Sequence, residues 1–214
     1  MPAKSRKPVA AVLRCCLIAS PTAALALAAA NVLAQPMSQA QAQAYLDANQ
    51  VYAVAGNLPG AIMNGRVDEV RAMLAVGVDP NGTEAEGLGP VMRFVAMTCQ
   101  ARVAPEHSVA LVKALAEAGA TMRPPQPDML PPIVSAAQNC NGEVIRAFVA
   151  AGANHSERTT QGYTPLSMAL LVGNLDAAKA LVDVGATLSK NAAKSLQESA
   201  EDPEIKALIK QATR

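Results

Sequence analysis

A Gly-Ala pair recurs along this chain at a fixed interval. It occurs at Gly119-Ala120, Gly152-Ala153 and Gly185-Ala186, so successive copies lie 33 residues apart. A related Gly77-Val78 lies 42 residues before the first of these, nine more than one period. A period of this length is typical of stacked helical units, each of which buries its apolar face only against its neighbours. This period constrains the fold more than any other feature of the sequence.

A proline holds a constant place within each period. Pro90, Pro132 and Pro165 each follow the preceding glycine by 13 residues. Proline fits the first turn of a helix, where its missing N–H costs no hydrogen bond. Because the register holds as far as Pro90, the nine extra residues lie between Pro90 and Gly119. We predict that they enlarge the turn between the two helices of that unit, around residues 99–106.

The last period is the most regular one. It runs from Gly162-Tyr163-Thr164-Pro165-Leu166 through a reversing Gly173 to Gly185-Ala186, with apolar residues at helical spacing between them. In these motifs the unit resembles an ankyrin repeat. The resemblance implies an all-α ankyrin-repeat solenoid of about four helix–turn–helix repeats within residues 57–188. The repeats are expected at residues 57–89, 90–131, 132–164 and 165–188.

Shorter helical segments flank the expected repeats. Residues 35–56 predict an N-terminal lead-in helix that covers the open end of the stack, with Ser38 as N-cap and Gly56 as its end. Residues 189–214 predict a C-terminal cap of two short helices with a polar outer face. The side chains expected to face the repeats are Tyr45, Leu46, Val51, Tyr52 and Val54 at one end and Ile205, Leu208 and Ile209 at the other.

Residues 1–34 have the three parts of a secretory signal peptide. A basic start that includes Lys4, Arg6 and Arg14 precedes an apolar run, and small residues lead up to Ala34. We expect cleavage near Ala34, with Ala28-Ala29-Ala30 as a second possible site, and a periplasmic location without stable membrane insertion afterwards. The alternative is an uncleaved N-terminal anchor, which would make the chain a structural or membrane-tethered protein of the envelope.

Two of the four cysteines, Cys99 and Cys140, lie beyond the leader. Counted from the aligned prolines, both fall at the helix–helix turn of adjacent repeats. Packed helices lie about 8–10 Å apart, beyond the Cα separation of roughly 7 Å that a disulfide tolerates, but an enlarged turn can close that gap. In an oxidising compartment we expect a Cys99–Cys140 disulfide. The alternative is a pair of small buried residues.

Composition argues against several classes of function. The formal net charge is +1, from 18 basic and 17 acidic side chains, so no field favours nucleic acid. His107 and His155 are the only histidines, and neither has a second ligand or a nucleophile at a suggestive spacing. The chain also lacks CxxC, HExxH and phosphate-binding glycine motifs. We therefore expect no enzymatic activity, no metal and no cofactor.

The resemblance implies a protein-binding module. Ankyrin-repeat proteins generally bind other proteins through a concave face, formed by the exposed sides of the first helices, and through the hairpin tips. Leu171 and Val172 are alternatively core residues, and the proline-rich tip at residues 121–132 is either a contact site or a stiff connector. We expect a scaffold that protects or inhibits a partner protein. Carried over by position, the contact candidates are Arg93, Met97, Ser135, Gln138, Asn139, Met168, Leu171 and Val172.

Overall fold

The computed structural model describes residues 37–85, 87–101, 103–123 and 129–213. The predicted signal peptide at residues 1–34 lies outside the described residues. The described part contains twelve α-helices, one short 3-10 helix (Ala55–Asn57) and no strand beyond an isolated bridge between Leu188 and Thr213. The helices are α1 (Gln39–Asn49), α2 (Leu58–Met63), α3 (Val67–Ala75), α4 (Gly82–Ala85), α5 (Val91–Thr98), α6 (Pro105–Glu117), α7 (Pro132–Asn139), α8 (Gly142–Ala150), α9 (Pro165–Leu171), α10 (Leu175–Asp183), α11 (Lys190–Ser199) and α12 (Pro203–Ala212).

The helices stack in two layers. The first helices of the repeats, α2, α5, α7 and α9, contact one another in order, and the second helices, α3, α6, α8 and α10, do the same. At the N-terminal end α1 packs on α3, and at the C-terminal end α11 packs on α9 and α12 on α10. Both flanking segments therefore continue the layers of the stack. The arrangement confirms the predicted all-α solenoid of helix pairs.

The fourth repeat shows why its motif starts and ends helices. The Thr164 hydroxyl accepts a hydrogen bond from the Ser167 amide at 3.2 Å, and the Ser167 hydroxyl accepts one from the Thr164 amide at 2.8 Å. This reciprocal cap satisfies two amides that a helix start leaves free, and Pro165 occupies a position where no donor is needed. The Thr-Pro motif therefore marks the start of α9.

Two asparagines connect neighbouring repeats at opposite edges of the stack. The Asn174 amide donates to the carbonyl oxygens of Ala137 (3.1 Å) and Cys140 (2.8 Å), while its oxygen caps α10. At the other edge, Asn81 donates to the Gly119 carbonyl at 3.0 Å and accepts from the Thr121 amide at 2.8 Å. Each side chain satisfies backbone groups of a second repeat. Neighbouring repeats are thus joined by hydrogen bonds at both edges of the stack and by apolar contacts in between.

The lead-in helix is shorter than predicted. It begins after Ser38 as expected but ends at Asn49 rather than near Gly56. Gln50 adopts a left-handed conformation (φ 55°), and its N–H donates to the carbonyls of Leu46 and Asp47, which closes the helix. The prediction that Tyr52 and Val54 face the repeats is wrong, since 78% and 51% of these residues are exposed.

Of the nine extra residues of the second repeat, four lie in a turn and four in a helix, and α5 starts one residue after its aligned proline whereas α7 starts at its own. The turn between α5 and α6 contains six residues, 99–104, against two between α7 and α8. We call residues 99–104 the inserted turn. The second helix α6 has 13 residues, whereas α3, α8 and α10 have nine each. The prediction that the whole excess enlarges the turn is therefore only partly right. His107 lies in the first turn of α6.

The inserted turn contacts the repeats on both sides of it. Val103 packs on Gly65, at the helix–helix turn of the first repeat. Cys99 forms a disulfide with Cys140, in the corresponding turn of the third repeat, with the two Cα atoms 5.0 Å apart. Within its own repeat the turn is held by a buried 2.6 Å hydrogen bond between the hydroxyls of Thr98 and Ser108. The expected disulfide is present, and the turn joins three repeats.

Replacing both bonded cysteines, as Cys99→Ser with Cys140→Ser, should lower the free energy of unfolding. The chain-entropy model gives up to about 4 kcal/mol for a bridge across 41 residues. Urea unfolding of the double variant and of reduced wild type should show the same loss. Alkylation of the unreduced chain, followed by intact-mass analysis, should find no label on either cysteine. Two labelled thiols would contradict the disulfide.

Gly65→Ala should destabilise the stack more than Gly119→Ala. Both glycines have positive φ (66° and 84°), so both variants incur a backbone cost of about 1–2 kcal/mol. At Gly65 the new Cβ would also lie 2.6 Å from a methyl group of Val103, whereas at Gly119 no atom comes within 4 Å. Adding Val103→Ala should remove the clash, although it also deletes packing. Equal urea midpoints for Gly65→Ala and Gly119→Ala would show that the inserted turn does not pack on the first repeat.

Candidate protein-binding face

The first helices of the second and third repeats form the floor of a groove. Arg93 and Ser135 each follow the aligned proline by three residues, and Met97 and Asn139 each follow it by seven, one helical turn later. The groove between them has a volume of about 440 Å³. We call it the central groove. Its lining residues are Arg93, Ala96, Met97, Gln100, Met129, Leu130, Ser135, Gln138 and Asn139.

The central groove brings together the five candidates predicted on α5 and α7. Its lining combines hydroxyl and amide groups with thioether and aliphatic surface, and Arg93 is its one charged side chain among the described residues. The Asn139 amide donates to the Ser135 carbonyl at 3.0 Å, which leaves the Asn139 side-chain oxygen as an acceptor. A mixed lining of this kind suits recognition of another polypeptide more than a small apolar ligand.

Met168 does not lie in the central groove. It lines a smaller neighbouring cavity of about 160 Å³, together with Met129, Leu130 and the tip of the third repeat around Thr159 and Tyr163. Only 9% of Met168 is exposed. Met168, named among the contact candidates, is therefore buried rather than exposed, and Thr159 and Tyr163 of the tip line the same cavity.

Leu171 and Val172 are exposed and do not belong to the core. Leu171 is the last residue of α9 and Val172 caps it, and half of each residue is accessible to solvent (50% and 49%). Leu171 occupies in its repeat the position that Gln138 occupies in the third. The two residues thus extend the face of the central groove with apolar surface on the fourth repeat.

Sequence reasoning missed two residues of this face, Met63 and Gln100, and left open the role of the tip that contains Met129 and Leu130. Met63 in α2 is 37% exposed. It occupies the same position as Leu171 when Asn57 is aligned with the prolines, so the repeat alignment alone could have identified it. Gln100 enters the central groove because the inserted turn carries it there, and the 33-residue period cannot place a side chain in an insertion. Met129 and Leu130 line both cavities, so the end of the proline-rich tip is part of this face. Residues 124–128 of that tip lie outside the described residues.

The tips beside this face carry both signs of charge. Burial raises the pKa of Glu157, and the positive charge of Arg123 on the neighbouring tip acts in the opposite direction. The ring of His155 lies 3.1 Å from the hydroxyl of Ser156. In the described part of the chain, no three His, Cys, Asp or Glu side chains come together as a metal site.

A comparison with protein families decides the identity of the repeats. The profile described as ankyrin repeats (3 copies) matches residues 99–192. Residues 99–192 of this chain are ankyrin repeats. The match covers three of the second helices, α6, α8 and α10, and the helices packed between them. Ankyrin repeats are protein–protein interaction modules and generally lack enzymatic activity, so the chain is an interaction scaffold. No curated protein matches the sequence.

The described helices were also considered as membrane spans. None of those in residues 37–85, 87–101, 103–123 and 129–213 is both long enough and apolar enough to cross a bilayer. This holds both for the helices of the ankyrin repeats and for the flanking helices.

Introducing a charge should separate exposed from buried positions on this face. Val172→Glu should change the free energy of unfolding by no more than about 0.5 kcal/mol, as for an ordinary surface residue. Met168→Glu should cost several times more, because the carboxylate would be forced into the cavity under the tip. Val54→Glu is the matched control, since Val54 (51%) and Val172 (49%) are equally exposed. A loss at Val172 comparable with that at Met168 would contradict the exposed position.

Proposed function

We propose that this ankyrin-repeat chain is exported to the periplasm, where it acts as a non-enzymatic scaffold that binds a partner protein and protects or inhibits it. The binding surface consists of the central groove, the exposed Leu171 and Val172 beside it, and the adjoining hairpin tips. The observation that carries the proposal is the convergence of five predicted contact residues on a single groove of α5 and α7.

The location is supported by two independent features. Residues 1–34 have a basic start, an apolar middle and a small-residue end, the pattern of a cleaved signal peptide. The remaining part contains one disulfide between adjacent repeats, and structural disulfides persist in oxidising compartments such as the bacterial periplasm. Both features are consistent with a chain that is exported first and forms its disulfide afterwards.

The exposed apolar residues support protein binding. Leu171 and Val172 lie side by side at the end of α9, and Met63 occupies the equivalent place on α2. Exposed apolar side chains of this size, next to a groove, are typical of a surface that a partner covers. Methionines such as Met97 and Met129 adapt their shape to different surfaces, so they favour contact with an irregular protein surface.

Expression of the full chain with a C-terminal tag tests the location. We expect osmotic shock to release a shortened form whose N-terminal sequence begins near Gln35, as cleavage after Ala34 requires. Recovery of an intact N-terminus in the membrane fraction would contradict the proposal and favour the envelope-tethered alternative.

Capture from periplasmic extract tests the binding surface. We expect the wild-type chain and Val54→Glu to retain the same partner and Val172→Glu and Met97→Glu to lose it, because a carboxylate on the contact surface would be desolvated without a counter-charge. Circular dichroism and urea midpoints serve as controls for folding. Equal capture by all four proteins would place the contact surface elsewhere.

A further inference from the structure

The central groove has a definite chemical character that restricts what can occupy it. Arg93 is the only charged residue that lines the central groove or the smaller cavity beside it, within the described part of the chain. The described salt bridges involve Arg66, Arg71, Lys113, Arg146 and Lys179 but not Arg93. Arg93 is exposed to solvent, and a guanidinium on such a surface is best matched by a carboxylate, which it can bind through two parallel hydrogen bonds.

The polar lining of the groove favours an extended chain. Gln138 and Asn139 at the end of α7 and Gln100 in the inserted turn present amide groups along the same groove. A primary amide both donates and accepts, so a row of them matches the alternating N–H and C=O groups of an extended backbone. A helix already satisfies those groups internally and would leave the amides without partners, at a cost in affinity.

The apolar surface around the amides determines where the apolar side chains of a bound segment would pack. Met97 lies on one side of the groove, and Met129 and Leu130 separate the groove from the smaller cavity. Beyond it, on the next repeat, Leu171 and Val172 are half exposed. Adjacent repeats are separated by about one helix diameter, roughly 10 Å. An extended segment covers that distance with about three residues. Two apolar residues of the bound segment that are about three positions apart would therefore contact two adjacent repeats.

We propose that the central groove binds an extended, acidic segment of the partner protein, with a carboxylate paired to Arg93 and apolar side chains on Met97, Met129 and Leu130. The inference rests on the proposed function and adds the chemistry of what is bound. It excludes a helix as the main occupant and makes Arg93 the residue that selects for negative charge.

Selection from a displayed library of random linear dodecapeptides tests the proposal. Purified unreduced chain serves as the target, and Arg93→Glu serves for counter-selection. We expect the enriched peptides to contain Asp or Glu at a constant distance from Leu, Met, Ile, Val or Phe. An enriched pool that is neutral or basic, an apolar pattern repeating every three to four residues as in a helix, or no enrichment at all would overturn the proposal.

A charge exchange on one enriched peptide then tests the contact itself. Arg93→Glu should weaken binding by about tenfold or more, the usual effect of losing a charged hydrogen-bond pair. Replacing the acidic peptide residue by Lys should restore binding to Arg93→Glu. Lys113→Glu, the same change of charge on an exposed residue of the second-helix layer, should leave affinity almost unchanged. Equal losses for both variants, or no restoration by the exchanged peptide, would overturn the pairing.

The proposed binding surface and the proposed occupant of the central groove can fail separately. If Val172→Glu abolishes partner capture while no acidic extended peptide binds, the face is a binding surface and the proposed occupant is wrong. If acidic peptides bind through Arg93 while partner capture is indifferent to Val172→Glu and Met97→Glu, the groove chemistry is right and the proposed extent of the partner surface is wrong.

Discussion

The apolar contact between successive helix pairs is the interaction on which the rest of this structure depends. A pair such as α9 and α10 has a buried face that only its neighbours can cover, so each repeat is stable only within the stack. At the ends the same requirement is met by α1 on one side and by α11 and α12 on the other. Asn81 and Asn174 then satisfy polar backbone groups of the adjacent repeat at the two edges. Register between repeats is thereby specified at the edges as well as in the core.

The irregular second repeat links the stability of the stack to the shape of its binding face. Its inserted turn packs Val103 against the first repeat, bonds Cys99 to the third, and at the same place carries Gln100 into the central groove. In a regular repeat the position of Gln100, ten residues after the aligned proline, is the first residue of the second helix, as Gly142 and Leu175 are. This departure from the 33-residue period therefore distinguishes the central groove from the groove of a uniform stack.

Much of the fold follows from the sequence because few residues carry the register. The aligned glycines and prolines locate the helix starts and ends of three repeats, and the two cysteines fall at adjacent turns by the same alignment. The groove residues on α5 and α7 follow from that register too. Prediction failed where a tertiary contact or a backbone conformation decided the outcome. Gln50 ends α1 in a left-handed conformation that glutamine rarely adopts, and the tip around Thr159 covers Met168, which helical position alone would expose.

The disulfide also changes the route by which force travels along the chain. Between Cys99 and Cys140 the shortest covalent path crosses the sulfur bridge and bypasses α6, the tip that follows it and α7. Tension applied at the two ends, as by a translocating protease or a pulling tether, would therefore be carried by α5 and the start of α8 but not by that enclosed segment. Mechanical extension of the oxidised chain should fall short of its full contour length by the 41 residues that the bridge encloses, at roughly 3.3–3.6 Å per residue.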